Sequence, residues 1–448
     1  MKKSAFLFLF AVLMLAGCDV LDVDPYHSIP ADEAVSSRKD VISAINGTYA
    51  SLQSAGYYGR NYIVAGDLAA DNLAWTGTTA GYNQIDNNSI LADNVIVEGI
   101  WSSIYTTISR ANNLMAQLPF IDDVSEAERN EFMAELLFLR ALGHFDLARM
   151  FGAVPVRTAP ADASDESLSI PRQPLEEVYS QIFEDLEFAK DHIRGENIRG
   201  LASEAAVLAL LARTKLYYYS ITGQESLLGE AAGFASQVID GFGLSLEPSF
   251  EDLFSGTPNS ESIFEVDFTE QDRNRLAEYF FPTSLSGRRE FAPTEKLFDL
   301  FSENDARRDA SIASDGTSLY GIKYSDIETG ADNVYVFRLA EMYLIRAEAY
   351  SIMGVSLDQA LDDINAIRLR ADLQDLQTSD PVNLLNQVSL MRQLEFAFEG
   401  HRWFDLVRTS MALDELDTLD EECRMLFPIP LGELLTNFHD GMYQNDCY

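Results

Sequence analysis

The sequence predicts an all-α fold built from stacked helix pairs. Apolar residues recur at helical spacing over most of the chain, for example over residues 175–193. Two segments, 201–240 and 338–370, each have the pattern of a helix, a turn and a second helix. Their length is close to the tetratricopeptide period of about 34 residues, in which neighbouring helix pairs bury a shared core.

Start and stop signals place the individual helices. One helix is predicted over 101–118 and ends at Pro119; the next, over 128–151, opens with the capping-box residues Ser125 and Glu128. Gly152, followed closely by a proline, ends that helix. Further helices are predicted over residues 175–193, 201–220, 228–240, 334–353, 357–371 and 382–409.

Few strands are expected. Residues 263–269 alternate between apolar and polar side chains and predict a short strand or one arm of a hairpin. Residues 280–331 are rich in Gly, Ser and Asp, and we expect them to be irregular.

One short motif occurs twice. The sequence G-H-F-D-L-A-R ends at Arg149, and G-H-R-W-F-D-L-V-R ends at Arg408. In each copy an aspartate, Asp146 or Asp405, lies three residues before the arginine, which is the spacing of an intrahelical ion pair. Large apolar neighbours predict that both pairs are buried.

The N-terminus predicts export and lipid anchoring. Lys2 and Lys3 precede an apolar stretch, residues 5–15, that is too short to span a membrane. The stretch leads into L-A-G-C at Cys18, a bacterial lipobox pattern, and not into an A-x-A cleavage site. We therefore expect a signal peptide over residues 1–17 and a lipidated Cys18, with palmitate among the lipids. The alternative is an ordinary secretory signal in which the cysteine is incidental.

The mature chain would span residues 18–448, with an N-terminal half of about 18–260 and a C-terminal half of about 261–448. The hydrophobic content of the full sequence, 47%, is ample for a buried core. Asp and Glu total 71 and Lys and Arg total 32, which gives a net charge of −39. That charge disfavours nucleic acid and anionic lipid as partners. Two explanations of this negative charge are open: an acidic surface that keeps the protein soluble, and a halophilic source. The sequence has only seven lysines, which favours the halophilic source.

Motifs for catalysis and cofactor binding are missing from the sequence. It contains no H-E-x-x-H, C-x-x-C, G-x-S-x-G or glycine-rich phosphate loop. Carboxylates are so numerous in this chain that a pair of them does not indicate a catalytic acid and base. His144 and His401 lie in the most apolar predicted helices, which indicates structural roles. We expect no enzyme activity, no metal and no cofactor.

Two cysteines remain after lipidation, Cys423 and Cys447. Thiols in an exported protein can pair, so we expect a disulfide between them. Pro428, Pro430 and Gly441 lie between them and allow the segment to turn back on itself. The alternative is two unrelated buried cysteines.

An aromatic-rich stretch near the N-terminus suggests a ligand site. Tyrosines and one tryptophan are interleaved there with glycines, amides and carboxylates, on a segment without helical periodicity. Aromatic faces can stack on a sugar ring while planar polar groups bind its hydroxyls. We expect an open platform centred on Trp75, with residues 280–331 as the next choice. The alternative is that the tyrosines pack the loops onto the helices. The candidate ligand-binding residues are Trp75, Tyr57, Tyr58, Tyr62, Tyr82, Asn83, Asp71 and Asn72.

Blocks along nearly the whole mature chain resemble the SusD/RagB-like outer-membrane nutrient-binding lipoproteins. The blocks occur in family order, which makes the resemblance specific. One departure is D-C before the final tyrosine, where the family usually has Pro-Gly. The matching blocks are C-D-V-L-D at 18–22, A-E-L-L-F-L-R-A at 134–141, R-L-A-E-M-Y-L-I-R-A-E-A at 338–349, I-N-A-I-R at 364–368, L-E-F-A-F-E-G-H-R-W-F-D-L-V-R at 394–408 and F-P-I-P at 427–430.

The resemblance implies an α-α superhelix of four tetratricopeptide-like helix pairs, with minor β-hairpins and a loop-rich ligand-binding face. It implies a non-catalytic lipoprotein on the cell surface, held in the outer membrane by its lipid anchor. Such a protein binds oligosaccharides or peptides and passes them to a SusC-like TonB-dependent transporter. Two alternatives stay open: a helical-repeat scaffold that only docks or gates the transporter, and a secreted glycoside hydrolase.

Overall fold

The computed structural model describes residues 35–161, 169–194, 199–256 and 259–448, so the predicted signal peptide and the lipidation site at Cys18 lie outside the described residues. The short strands are β1 (Leu73–Trp75), β2 (Ser262–Val266), β3 (Phe291–Pro293), β4 (Ile312–Ser314), β5 (Leu319–Gly321) and β6 (Val334–Arg338). The helices are α1 (Arg38–Ala50), α2 (Asn61–Leu68), α3 (Ala80–Asp86), α4 (Val95–Gln117), α5 (Glu126–Phe151), α6 (Leu175–His192), α7 (Glu204–Thr222), α8 (Ser226–Gly241), α9 (Leu276–Phe280), α10 (Glu295–Leu300), α11 (Ala306–Ser311), α12 (Leu339–Met353), α13 (Leu357–Arg370), α14 (Pro381–Glu395), α15 (Arg402–Arg408), α16 (Ala412–Glu415) and α17 (Leu431–Thr436).

Four helix pairs form the scaffold within the described ranges. Helix α1 packs on α4, α5 on α6, α7 on α8, and α12 on α13. The pairs stack through further contacts of α4 with α5 and of α8 with α12. The predicted α-α superhelix is therefore confirmed. No helix within the described ranges has the length and apolar character needed to span a bilayer.

The capping box and the glycine stop predicted for α5 are both present, whereas the helix predicted from residue 101 begins earlier, at Val95. The Ser125 side chain accepts the Glu128 backbone N–H, and the Glu128 side chain accepts the Ser125 N–H, which is the full capping box. Helix α7 ends at Gly223, where φ is +68°. Only glycine adopts this left-handed conformation without a steric cost, so the chain can reverse there into α8.

Two helix predictions were wrong in part. Residues 334–338, predicted as the start of a helix, instead form β6, which pairs antiparallel with β2. Their sequence, V-Y-V-F-R, combines β-branched and aromatic side chains that favour a strand. Helix α12 begins directly after this strand, so the predicted helix end near 353 is unaffected.

The predicted helix over 382–409 is interrupted between α14 and α15. Gly400 has φ +79° in this break, and its backbone lies against α2. A Cβ atom on Gly66 would come within 2.3 Å of the Gly400 carbonyl oxygen. Asp67 accepts a hydrogen bond from the Gly400 N–H at 2.7 Å. The break therefore lets the N-terminal and C-terminal parts of the chain pack backbone to backbone.

Both copies of the repeated motif form the predicted ion pair. Arg149 contacts Asp146 at 2.8 Å, and Arg408 contacts Asp405 at 2.9 Å. All four side chains are largely buried. A ring contact of 5.7 Å between Tyr62 on α2 and Phe404 on α15 lies between the two pairs and links the two parts of the chain.

A larger ion network fills the region between β6 and α14. Arg338 pairs with Glu261 at 2.9 Å, with Glu395 at 2.5 Å and with Glu399 at 2.9 Å. These side chains are at most 2% exposed. Burying so many charges is tolerable only because each has opposite charges and hydrogen bonds around it. Arg307, Lys323 and Arg370 supply the other cations.

Candidate glycan-binding face

The pairing of β1 with β3 brings two distant parts of the sequence to one surface. In the antiparallel register, Trp75 lies opposite Phe291. The pairing continues past the strands, because the Thr76 N–H donates to the Glu290 carbonyl at 2.9 Å. The loop over 281–290 leads into β3, so the two segments favoured by the sequence, the one around Trp75 and residues 280–331, are neighbours.

Trp75 itself is half-buried at the edge of this surface. Its indole Nε1 is buried and has no hydrogen-bond partner, while its backbone N–H is bonded to the Asp86 carboxylate on α3. A buried indole N–H usually has a partner, so this group is an unsatisfied donor beneath the accessible part of the ring. The structure fixes the backbone of this residue and leaves part of its ring accessible.

Two more aromatic rings lie half-buried close by. Phe281 and Tyr320 have ring centroids 5.2 Å apart, and the β4–β5 hairpin that holds Tyr320 packs against β3. The hairpin turns at Asp315, whose backbone N–H donates to the Ser318 carbonyl. An Asp-Gly pair at 315–316 is a strong hairpin signal that could have located Tyr320 from the sequence.

Cationic side chains line the same face. The Arg60 guanidinium lies over the Tyr279 ring, with 4.0 Å between Cζ and the ring centroid. Its Nε donates to the Asn61 side-chain oxygen at 2.9 Å. Arg289 is half-buried, and its Nε is buried with no hydrogen-bond partner. Arg60 and Arg289 were absent from the sequence prediction, because nothing in their local sequence distinguishes them from other surface arginines.

A buried carboxylate holds the loop after Trp75 in place. Glu290 accepts the backbone N–H groups of Thr78 at 3.1 Å and Thr79 at 3.2 Å. The Thr76 hydroxyl donates to the Arg289 carbonyl at 2.9 Å. These bonds tie residues 76–79 to the loop that precedes β3, so the polar groups of the face are held by a rigid support.

Three of the predicted ligand-binding tyrosines are core residues, which corrects the expectation that they form an open platform. Tyr57, Tyr58 and Tyr62 are at most 2% exposed. Their hydroxyls donate to the Asp146 carboxylate at 2.6, 2.8 and 2.6 Å. Burial, together with that carboxylate, raises the pKa of all three phenols. The tyrosines are drawn inward because they satisfy a buried charge that Arg149 alone does not saturate.

Tyr82 also lies beneath the face and not on it. It is 1% exposed, donates to the Asn61 side chain at 2.7 Å and packs edge-on against Phe291 at 5.0 Å. Burial raises the pKa of Tyr82 to about 12. Its role is to support the β1–β3 pair from below.

The predicted polar residues divide in the same way. Asp71 is buried in ion pairs with Arg402 at 2.7 Å and Lys296 at 2.9 Å. Burial alone would raise its pKa, but these cations hold the pKa of Asp71 below its usual value. Asn72 is fully buried and donates to Asp67 at 2.6 Å. Asn83, on α3, is half-buried, so of the eight predicted residues only Trp75 and Asn83 reach the surface.

One group of possible metal ligands lies elsewhere in the described part of the chain. The ligand atoms of Glu421, Cys423 and Cys447 lie within 4.8 Å of one another. The two cysteines are joined in a disulfide, with Cα atoms 5.9 Å apart. Disulfide sulfurs are not thiolates, which are the form in which cysteine binds metal, so the disulfide and a metal site exclude each other.

Comparison with known proteins decides the family. Residues 319–424 match the model described as the SusD family, and residues 19–216 match a model described as starch-binding associating with outer membrane. The chain belongs to the SusD family. SusD-like protein P2 of Formosa agariphila is 27% identical, and the alignment covers 98% of each chain.

Solved structures of this family have the same fold. A SusD superfamily protein from Parabacteroides distasonis aligns with a TM-score of 0.83 at 24% identity, over 92% of this SusD-family chain and all of the other. A laminarin-binding SusD-like protein aligns with a TM-score of 0.81 at 25% identity, over 92% and 100% of the two chains. The relatives therefore share the architecture over nearly their full length.

Proposed function

We propose that this protein is a cell-surface lipoprotein that binds oligosaccharides and delivers them to a SusC-like TonB-dependent transporter in the outer membrane. The observation that carries the proposal is the half-buried Trp75, held on β1 opposite Phe291, with an unpartnered indole N–H. Glycan binding is the common property of the relatives whose names state a ligand, and one of them binds laminarin.

The chemistry of the face suits a sugar. The C–H faces of a pyranose ring stack on aromatic rings, and Trp75, Phe281 and Tyr320 are accessible for this. Sugar hydroxyl groups need hydrogen-bond donors and acceptors at fixed positions. Arg60 and Arg289 provide donors. A peptide could use the same rings, but its carboxylates would be repelled by the net negative charge of the protein.

The proposed role is binding without catalysis. Glycoside hydrolysis needs a pair of carboxyl groups on either side of the bond, one of them free to donate a proton. Glu290, which holds the loop of the face, is buried and accepts two backbone N–H groups. It is therefore committed to supporting the loop.

The binding test uses the purified chain without its signal peptide and a panel of laminarin, other glucan oligosaccharides and mixed peptides, measured by calorimetry. We expect saturable binding of at least one glucan and no release of reducing ends. Failure to bind any glycan or peptide would favour the scaffold alternative. Release of reducing sugar would favour the hydrolase.

Anchoring is tested separately. Cys18→Ala removes the cysteine of the lipobox, so we expect the protein to leave the membrane fraction for the soluble fraction. Accessibility to added protease on intact cells checks exposure at the cell surface. Unchanged fractionation of the variant would contradict the lipoprotein proposal.

A further inference from the structure

A patch of exposed apolar side chains lies where the start of α4 meets α17. We call it the α4–α17 patch, and it lies outside the glycan-binding face. Monomeric proteins expose single apolar residues commonly, but contiguous patches of several hundred Å² usually mark an interaction site. Its members, with their exposed fractions, are Leu91 at 56%, Val95 at 68%, Leu431 at 40%, Leu435 at 63% and Phe438 at 83%.

Backbone and side-chain contacts hold the two segments of the patch side by side. The Leu431 N–H donates to the Ala92 carbonyl at 2.8 Å. The Trp101 indole N–H donates to Glu433 at 3.3 Å. Leu431 and Leu435 lie four residues apart and share one side of α17, which has no fully buried residue. The patch is therefore a surface built on a supported helix and not a set of scattered side chains.

The charges around the patch limit what can cover it. The charged residues interleaved with it in sequence are all acidic: Asp93, Glu98, Glu433 and Asp440. A second copy related by two-fold symmetry would place this acidic rim against itself. An anionic lipid surface would also be repelled. An apolar centre with an acidic rim fits a protein surface with an apolar centre and a basic rim.

The position of the patch connects it to the glycan-binding face. Helix α3 lies between them: the Trp75 backbone is bonded to Asp86 at its C-terminal end. The Gln84 side chain accepts the Leu91 N–H at 3.2 Å and the Asn94 side chain at 2.8 Å. A partner that covers the patch is thereby held next to bound glycan.

We infer that the α4–α17 patch is the surface on which the outer-membrane transporter docks, an inference that rests on the proposed function. The transporter would present apolar side chains to Leu435 and Phe438 and basic side chains to the acidic rim. Docking here would hold the transporter beside Trp75 without occupying the glycan-binding face, so glycan and transporter can be bound at once.

The test co-expresses the full chain with a tagged SusC-like transporter from the same organism and measures how much lipoprotein is captured from solubilised membranes. We expect the double variant Leu435→Glu, Phe438→Glu to be captured at least tenfold less than the wild type. A matched control, Phe120→Glu with Val382→Glu, changes side chains that are 82% and 64% exposed elsewhere and should be captured fully. Asp440→Lys should weaken capture, and added salt should do the same.

Other measurements separate the possible failures. Patch variants should bind glycan as the wild type does, whereas Trp75→Ala should lose glycan binding and keep the transporter. Wild-type capture of the patch variant would overturn the docking surface and leave the proposed function intact. Absence of capture for the wild type would overturn the transporter partnership and, with it, this inference. A patch-dependent dimer in sedimentation, or patch-dependent binding to phosphatidylglycerol vesicles, would assign the patch to another occupant.

Discussion

Trp75 and Phe291 are direct cross-strand partners. The ring predicted to bind sugar is therefore held by residues 280–331, the segment that was our second choice for the ligand site. The β1–β3 pair carries Trp75 at the surface and buries Phe291, which is not measurably exposed. Trp75 is the proposed ligand contact, and Phe291 holds its strand in place. Substitutions can therefore be tested for their effect on ligand affinity and on the stability of the fold.

We expect Trp75→Ala to weaken glycan binding by about 1–3 kcal/mol, the scale of losing an aromatic contact in a binding site. Calorimetry with the best glucan of the panel measures the change. Phe120→Ala is the control, since it removes an aromatic ring that is 82% exposed but lies in another part of the chain. Equal affinities for the wild type and Trp75→Ala would move the site away from this face.

Asp146→Ala should destabilise the fold by about 3–5 kcal/mol, because it leaves the buried Arg149 without its carboxylate. Tyr58→Phe removes only one of the three hydroxyls that donate to Asp146 and should cost about 1 kcal/mol. Urea denaturation gives both free energies of unfolding. If the two variants cost the same, the carboxylate does not organise the cluster.

The ion network around Arg338 makes a prediction about acid. Burial alone would raise the pKa of Glu395, but Arg370 and Arg338 hold it well below the usual value, and the pKa of Glu399 is also lowered. A carboxyl group with a depressed folded-state pKa contributes stability above its unfolded pKa of about 4.3 and loses it as the pH falls. The free energy of unfolding should therefore decrease below about pH 5. Arg338→Met should cost about 3–5 kcal/mol at pH 7 and should show a shallower loss in acid.

Reduction of the Cys423–Cys447 disulfide should loosen the C-terminus. The two residues are 24 positions apart, and closing a loop of that size stabilises by roughly 3–4 kcal/mol on the chain-entropy model. Cys447→Ser and the reduced wild type should both melt at a lower temperature than the oxidised wild type. Titration of free thiols in protein purified without reductant checks the pairing, and two reactive thiols there would contradict it.

Salt should stabilise the protein. The net charge of −39 makes the folded state repel itself at low ionic strength. Raising salt from about 0.01 M to 1 M shortens the Debye length from about 30 Å to 3 Å. We therefore expect the melting temperature to rise markedly in sodium chloride. A flat curve would show that the acidic groups are spaced widely enough to make adaptation to high salt unnecessary as an explanation.

Local patterns predicted the scaffold well, because helix ends and ion pairs depend on residues close in sequence. The capping box at Ser125 and the pair of Asp146 with Arg149 were both confirmed. The interruption at Gly400 could not be seen, since it serves a contact with Gly66, far away in the chain. Residues 334–338 were assigned to a helix because their partner strand lies some seventy positions earlier.

The binding face was harder to predict for the same reason. Tyrosines among glycines have the composition of a ligand loop, yet Tyr57, Tyr58 and Tyr62 turn inward to a carboxylate on another helix. Only tertiary structure shows that Asp146 lies within reach of all three hydroxyls. Trp75 was chosen for its aromatic ring, without any signal of the short strand that holds it, and the Asp-Gly turn that places Tyr320 was not used.

The two strands of the face come from opposite parts of the chain, at residues 73–75 and 291–293. Contacts so distant in sequence require a long loop to close, which costs conformational entropy. A chain cut anywhere in between, or one whose C-terminal half has not folded, lacks the support beneath Trp75. We therefore expect only completely folded molecules to bind glycan with full affinity. A glycan column should separate intact molecules from fragments and misfolded chains that an antibody to the N-terminal half would count alike.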